Sequence, residues 1–431
     1  KGSAAIDTLK DGDKVLVLES CTHHTSCEDI GRVKIPAMLQ KKSGAKLSFT
    51  FVSGLDELPS AEELSTYALA LQCGGCMVTR RQLINRIRRV IAAGVPCQNS
   101  QTGGSGQQGG IPMADMEDYL QDILDLIEWA NGDPKTSKWA KMRADAGHKE
   151  PFGLKYIGIG NEDLISETFL ERYLMLIKGV KAKYPDITVI GTVGPWCEGS
   201  DYERGWQIAK ENKIDMVDEH YYQSPGWFIN NQDYYDKYSR NTSKVYLGEY
   251  ASHLPGRPSN IETALSEAIY LLSVERNADV VTMTSYAPLL AKKGHTQWTP
   301  DLIYFTNTEV LPTVNYEVQR LYGQNAGNQY IPSSLTVNTL DDKVLKRVAC
   351  SIIKDSETNE MIVKIANLLP VDVNVDLDWS ALGVTSSVVK RYTLSGEPTD
   401  SKAKVVESRE EIQQGKKMVL GRYSFVVLRV K

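Results

Sequence analysis

Five apolar, β-rich runs recur in the middle of this chain, each leading toward a stretch that can be helical, and this rhythm constrains the fold more than any other feature. The runs are 155–162 (KYIGIGNE), 187–194 (ITVIGTVG), 215–222 (DMVDEHYY), 244–251 (KVYLGEYA) and 280–287 (VVTMTSYA), so successive starts lie 28 to 36 residues apart. Leu170, Leu174, Ile177 and Val180 fall at helical spacing within 168–183, as do Ala264, Ala268, Leu271 and Leu272 within 261–276. Strands alternating with helices at this period make βαβ units and therefore a parallel sheet. Near-continuous apolar runs imply strands buried on both faces. No glycine-rich phosphate loop follows any strand, which favours a closed (β/α)8 TIM barrel over an open nucleotide-binding sheet.

The flanking sequence extends this plan. Upstream, 14–19 (KVLVLE) and 46–52 (KLSFTFV) read as early strands, 81–93 and 116–130 as helices, 95–99 as a strand tip and 101–110 (QTGGSGQQGG) as a flexible loop. After about Gln324 helical spacing gives way to short β-rich runs at 344–351, 360–367, 371–377, 388–393 and 423–430, separated by turn residues. That pattern predicts a small antiparallel β-sandwich. The expected fold class is thus α/β, a (β/α)8 TIM barrel followed by a C-terminal antiparallel β-sandwich. The barrel spans 1–324, with its first ~90 residues atypical, and the sandwich 325–431; a chain of 431 residues exceeds what one core usually supports.

Composition narrows the function. Charged residues make up 24% and the net charge is −5, which argues against the basic face that nucleic acid or an anionic membrane surface requires. No apolar run approaches the roughly 18 residues of a membrane span. The chain opens KGSAAIDTLKDGDK, with neither an initiator Met nor a signal-peptide pattern, so its start reads as trimmed. Tyr outnumbers Phe by 21 to 7, a mild hint of sugar-binding surfaces that combine an apolar face with a polar tip. Seven cysteines at irregular spacing specify no disulfide framework. CTHHTSC (21–27) and CGGC (73–76) have spacings that zinc could use, but buried small residues and loop histidines are the preferred reading. Asn241 opens an Asn-Thr-Ser glycosylation acceptor pattern, a match common by chance.

In a (β/α)8 barrel the reactive groups sit at the C-terminal tips of the strands. The first of the five runs ends in Asn161 and Glu162, with Asp163 next; the third in Glu219, His220, Tyr221 and Tyr222; the fourth carries Glu249; the fifth ends in Ser285 and Tyr286. Polar groups are therefore expected to converge at one end of the barrel. Strands three apart on an eight-stranded ring face each other, so Glu162 and Glu249 would flank the mouth. Paired carboxylates across a cleft are the machinery of glycoside hydrolysis, one as general acid and the other as nucleophile or base. His220 and Tyr222 could position the nucleophile or a sugar hydroxyl, and Trp196, Trp227 and Trp298 each follow a strand tip, where indoles stack on sugars or pack the rim.

These motifs carry a resemblance. Asn-Glu at one strand tip and Glu three strands on are signatures of the large retaining glycosidase clan. LKYIGIGNED, VDEHYY, KVYLGEYA, SYAPLLAKKGHTQWTPDLIYF, GIPMADMEDYLQDILDLIEWANGD and the terminal GRYSFVVLRVK are similar to glycoside hydrolase family 51, the α-L-arabinofuranosidases, from about Gly94 to Lys431. The resemblance implies Glu162 as general acid/base and Glu249 as a nucleophile that forms a covalent arabinosyl–enzyme with net retention. It implies Asn161 at the 2-hydroxyl, His220 and Tyr222 lining the arabinose subsite, and Gln297 and Trp298 near the sugar. The N-terminal quarter departs from the pattern: LQCGGC (71–76) stands where the family has Arg-Phe-Pro-Gly-Gly, and CEDI (27–30) where it has Phe-Glu-Asp-Ile, which would make Glu28 a sugar ligand. The implied function is an exo-acting hydrolase of arabinose-containing oligo- or polysaccharides, with no metal or organic cofactor, in a secreted or periplasmic setting. The alternatives are another retaining barrel glycosidase, such as a xylosidase or endo-glucanase, and a catalytically weak carbohydrate-binding protein. Oligomeric state is open.

Overall fold

A computed structural model describes residues 6, 8–19, 32, 35–53, 56–73, 86, 89–90, 97–99, 111, 113–296, 298–378, 383–384, 388–411 and 417–431. The chain divides into two compact units, Lys1–Thr188 and Val189–Lys431.

The first unit opens with a four-stranded parallel sheet of β1 (Lys14–Glu19), β2 (Ser48–Val52), β3 (Leu69–Cys73) and β4 (Cys97–Asn99), in the order β2-β1-β3-β4. A barrel wall would keep consecutive strands adjacent; here β1 lies between β2 and β3, the order of a doubly wound sheet. Both faces of β1 are covered, as its unbroken apolar run predicts. Val15 and Val17 join Ile35 and Leu39 of helix α1 (Ile35–Ser43) in one core, whereas Leu16 and Leu18 join Leu64 of helix α2 (Ala61–Leu64) in another.

Farther along this unit run helices α3 (Met116–Asn131) and α4 (Lys138–Asp145), strand β5 (Tyr156–Ile159) and helix α5 (Glu167–Lys183). The fully buried Arg143 joins α4 to the end of α3 by donating to the carbonyls of Trp129 (2.6 Å) and Gly132 (3.0 Å). β5 is shorter than its sequence suggests. It stops at Ile159 because Gly160 turns the backbone to φ 90°, and of its four residues only Ile159 is buried. The expected two-sided burial fails on this strand, whose Tyr156 is exposed.

The second unit continues the strand–helix alternation: β6 (Thr188–Thr192), α6 (Ser200–Glu211), β7 (Met216–Gln223), α7 (Pro225–Asn230), β8 (Lys244–Ser252), α8 (Ile261–Arg276) and β9 (Val281–Tyr286). Here neighbours in sequence are neighbours in the parallel sheet, β6-β7-β8-β9. Helix α8 is buried at Ile261 and continuously from Thr263 to Val274, and it starts at a capping box between Asn260 and Thr263. Three short strands follow, β10 (Leu290–Lys292), β11 (Ile303–Phe305) and β12 (Val310–Pro312), then helix α9 (Val314–Gln324).

The chain closes as an antiparallel sandwich. One sheet has the order β13-β14-β15-β20-β17-β18, from β13 (Gln329–Tyr330), β14 (Val348–Asp355), β15 (Glu360–Asn367), β17 (Val388–Ser395), β18 (Val406–Glu411) and β20 (Ser424–Val430). The other pairs β16 (Val373–Val375) with β19 (Met418–Leu420). Val363, Ile365, Val426 and Leu428 of the first sheet meet Val375 and Leu420 of the second in one apolar core. Among the described residues no helix is long and apolar enough to cross a membrane.

Candidate active site

Strand β7 carries two chemistries on its two faces. Side chains alternate along a strand, so Asp218, His220 and Tyr222 share one face while Glu219 and Tyr221 share the other. The expected convergence of all four terminal residues of DEHYY at one mouth is therefore corrected: Glu219 and Tyr221 point away from His220. Glu219 is buried and accepts from Tyr202 Oη (3.2 Å), Trp206 Nε1 (3.0 Å), Tyr235 Oη (2.9 Å) and Tyr238 Oη (2.8 Å). Burial pushes its pKa up, and the four donors pull it back. Tyr221 continues the network to Tyr235 (2.9 Å) and Tyr270 (2.8 Å).

The opposite face meets Glu249. Asp218 pairs with Tyr246 and Glu219 with Leu247, but the next pair is His220 with Glu249, so Gly248 is skipped. A one-residue bulge reverses which side of the strand the following residue faces. It turns Glu249 into the row of Asp218, His220 and Tyr222. The bulge is held from β9: Tyr246 donates to Ser285 Oγ (2.6 Å), and Ser285 donates to the Gly248 carbonyl (2.7 Å). A Cβ at 248 would lie 2.0 Å from Asp218 Oδ1, so any residue but glycine there must push that side chain aside.

Each Glu249 oxygen thus faces a β7 side chain. Tyr222 donates its hydroxyl to Oε2, and His220 Nδ1 lies 3.7 Å from Oε1. His220 Nε2 contacts Asp218 Oδ2 at 3.1 Å. His220 is buried, whereas Glu249 keeps part of its surface open to solvent, as a group that must touch substrate requires. Beside them rises an aromatic wall. Tyr222 and His253 stack with ring centroids 5.2 Å apart and an interplanar angle of 7°, Trp298 leans against Tyr222 at 5.5 Å, and the Arg257 guanidinium sits over the Trp298 ring at 4.7 Å. Burial, helped by the Arg257 charge, pushes the His253 pKa down to about 4, so this imidazole is neutral near pH 7.

Of the other expected sugar-site and catalytic residues, Asn161 and Glu162 lie in the first unit, and Gln297 and Glu28 lie outside the described residues. Asn161 and Glu162 follow the end of β5, where the Asn161 amide donates to Asp163 Oδ2 (2.8 Å). Glu162 adopts φ 51°, a left-handed conformation costly for a residue with a Cβ and concentrated at functional sites. Gln297, Glu28 and the Cys21–Cys27 motif, together with Gly74, Gly75 and Cys76, lie outside the described residues. Among the ring contacts of the described residues neither Trp196 nor Trp227 joins this wall; Trp227 packs against Tyr221 and Phe228. Sequence reasoning passed over Asp218, His253 and Arg257. Asp218 was legible as the residue two before His220, hence on the same strand face.

Three family models match the chain. Residues 82–240 match an α-L-arabinofuranosidase 1 domain, 232–422 an α-L-arabinofuranosidase C-terminal domain, and 1–102 a hydrogen maturase F tetramerization domain. An extracellular exo-α-L-arabinofuranosidase of Streptomyces chartreusis is 45% identical over 234 residues, which is 54% of this chain and 28% of that protein. α-L-Arabinofuranosidase 1 of Arabidopsis thaliana is 32% identical over 239 residues, 55% of this chain and 33% of that protein. The chain thus spans about a third or less of the length of these relatives. Among solved structures, the arabinose-bound MgGH51 α-L-arabinofuranosidase superposes with a TM-score of 0.67 at 26% identity, covering 82% of this chain and 58% of that one. The arabinose complex of the Thermotoga maritima α-L-arabinofuranosidase, at 15% identity and a TM-score of 0.57, covers 81% of this chain and 78% of that one and shares the fold.

Proposed function

This chain belongs to the α-L-arabinofuranosidases of glycoside hydrolase family 51, with their TIM barrel and C-terminal β-sandwich, and from that premise we propose that it is a retaining, exo-acting α-L-arabinofuranosidase. Glu249 is the nucleophile. One of its oxygens attacks the anomeric carbon of a terminal arabinofuranosyl unit as the bond to the leaving oxygen breaks. Glu162 delivers a proton to that oxygen, then takes one from the water that releases arabinose from the covalent intermediate. Tyr222 holds the nucleophile's carboxylate by donating to it, His220 lines the site beside it, and Asn161, Gln297, Trp298 and Glu28 contribute to the sugar site. Two carboxylates and a water suffice, so the reaction needs no cofactor. The observation that carries this reading is the bulge at Gly248, which sets Glu249 against His220 and Tyr222.

The substrates are arabinose side chains of arabinoxylan, arabinan or their oligosaccharides, and the extracellular Streptomyces relative supports a secreted or periplasmic setting. The domain reading places the barrel within 1–324, its first ~90 residues atypical, and the sandwich in 325–431. The match of 1–102 to a tetramerization domain favours self-association through that segment. Light scattering on the full chain and on one lacking residues 1–102 tests it; an equal number of subunits in the two would exclude it.

Hydrolysis of 4-nitrophenyl α-L-arabinofuranoside tests the activity. Glu249→Ala is expected to abolish turnover. Glu162→Ala should spare the first step with this activated leaving group while losing natural oligosaccharides, which need the proton. Equal losses on both substrates would remove Glu162 from the acid role, and activity surviving Glu249→Ala would remove the nucleophile.

A further inference from the structure

Asp218 lies two residues before His220 and four before Tyr222, on the face of β7 that meets Glu249. It touches neither Glu249 oxygen in the contacts described, yet three features tie it to that carboxylate. Its Oδ2 lies 3.1 Å from His220 Nε2, and a carboxylate oxygen accepts, so the proton of this contact belongs to Nε2. With Nε2 occupied, His220 turns Nδ1 toward Glu249 Oε1, 3.7 Å away. The backbone is shaped around the second carboxylate oxygen as well. Asp218 Oδ1 occupies the space that a Cβ at residue 248 would fill, at 2.0 Å, and it is buried with no hydrogen-bond partner among the described residues. A buried carboxylate oxygen without a donor costs stability. A residue that served stability alone would gain nothing from sitting there, where its Oδ1 also takes the room that any side chain at 248 would need.

We infer that Asp218 is a positioning residue: by accepting the Nε2–H of His220 it fixes the tautomer and ring orientation of the imidazole that faces Glu249. The inference rests on the proposed role of Glu249 for its catalytic consequence, but not for its structural content. Histidines that face a reactive centre commonly have their second nitrogen fixed this way. Gly248 then has two duties, turning Glu249 into the row and leaving room for the group that orients its neighbour.

The test uses the full chain labelled with ¹⁵N-histidine, with the His220 signals assigned by their loss in His220→Gln. In the wild type His220 should show a protonated Nε2. Asp218→Ala should lose that fixed signature and lower kcat on 4-nitrophenyl α-L-arabinofuranoside by about 10- to 100-fold with KM changed by less than about threefold. Asp218→Asn, whose amide oxygen can still accept from Nε2, should keep the signature and recover much of kcat. Gly248→Ala, which drives a methyl against Oδ1, should reproduce the effect of Asp218→Ala, and it stands in if that variant does not fold. An unchanged His220 signature in both Asp218→Ala and Gly248→Ala overturns the inference. So does a loss of kcat that follows the melting temperature alone. A wild type with no turnover would count against the enzymatic reading, while the nitrogen signature would still decide whether Asp218 orients His220.

Discussion

At the residue scale the site turns on which side of a strand a carboxylate faces. Glu249 was legible as a strand-tip carboxylate, and so were His220 and Tyr222, because a barrel delivers reactive groups at those tips. The bulge that brings them together was not legible, since pairing register is a property of two strands. The error over Glu219 has a simpler cause: adjacent residues on a strand face opposite ways, and Glu219 is adjacent to both Asp218 and His220. The hydroxyl of Tyr222 gives this scale its prediction. A hydrogen bond to a charged group contributes about 1.5–3 kcal/mol, so Tyr222→Phe should lower kcat by roughly 10- to 150-fold. Steady-state kinetics on the aryl arabinofuranoside would measure it, and a loss under about twofold would leave the hydroxyl without a role in orienting the nucleophile.

At the scale of elements, long periodic segments were readable and short ones were not. Helix α8 matches its expected bounds of 261–276, and β1 and β15 match theirs. Periodicity missed α6, α7 and α9. Helix α6 has polar residues and Gly205 interrupting its apolar stripe, α7 has only six residues, and β10, β11 and β12 have three each, too few for any period to register. The joint between α8 and β8 yields a pH prediction. Glu267 of α8 accepts from the Ser252 amide at the end of β8 (2.9 Å) and is completely buried. Burial raises its pKa from 4.5 to about 8. A carboxyl whose folded pKa is raised contributes its full share of stability below the ordinary value and loses it as pH climbs through the folded one. The stability of the wild type relative to Glu267→Gln should therefore decline between about pH 4.5 and 8 and level off above. Denaturant titrations across that range would reveal it, and a pH-independent difference would mean Glu267 titrates normally.

At the scale of the molecule, the C-terminal sandwich was foreseen from its short β-rich runs, and the order of the first four strands was not. Strand order depends on crossovers, and no local pattern in 1–100 encodes that β1 lies between β2 and β3. Within the second unit the sandwich is fastened to the α/β layer by a buried ion pair. Lys364 of β15, with no exposed surface, contacts Glu275 of α8 at 2.5 Å and sits over the Tyr322 ring of α9, while Ser351 of β14 donates to the same glutamate at 2.6 Å. Removing one partner strands the other charge, so Glu275→Ala should destabilise the chain by about 3–5 kcal/mol. Pairing it with Lys364→Met should restore most of that loss. Equilibrium unfolding of the two variants decides the point, and a single variant as stable as the wild type would show that the pair holds nothing together.

The two-faced character of β7 also bears on building such sites elsewhere. Copying Asp218, His220 and Tyr222 onto the strand of another barrel would import Glu219 with them. Unless the host also received the indole of Trp206 and the phenols of Tyr202, Tyr235 and Tyr238, that carboxyl would arrive in a dry interior with nothing to solvate it. The smallest piece of this strand that can be moved unchanged is therefore a layer two side chains thick; a thinner graft must first replace Glu219 with an apolar residue.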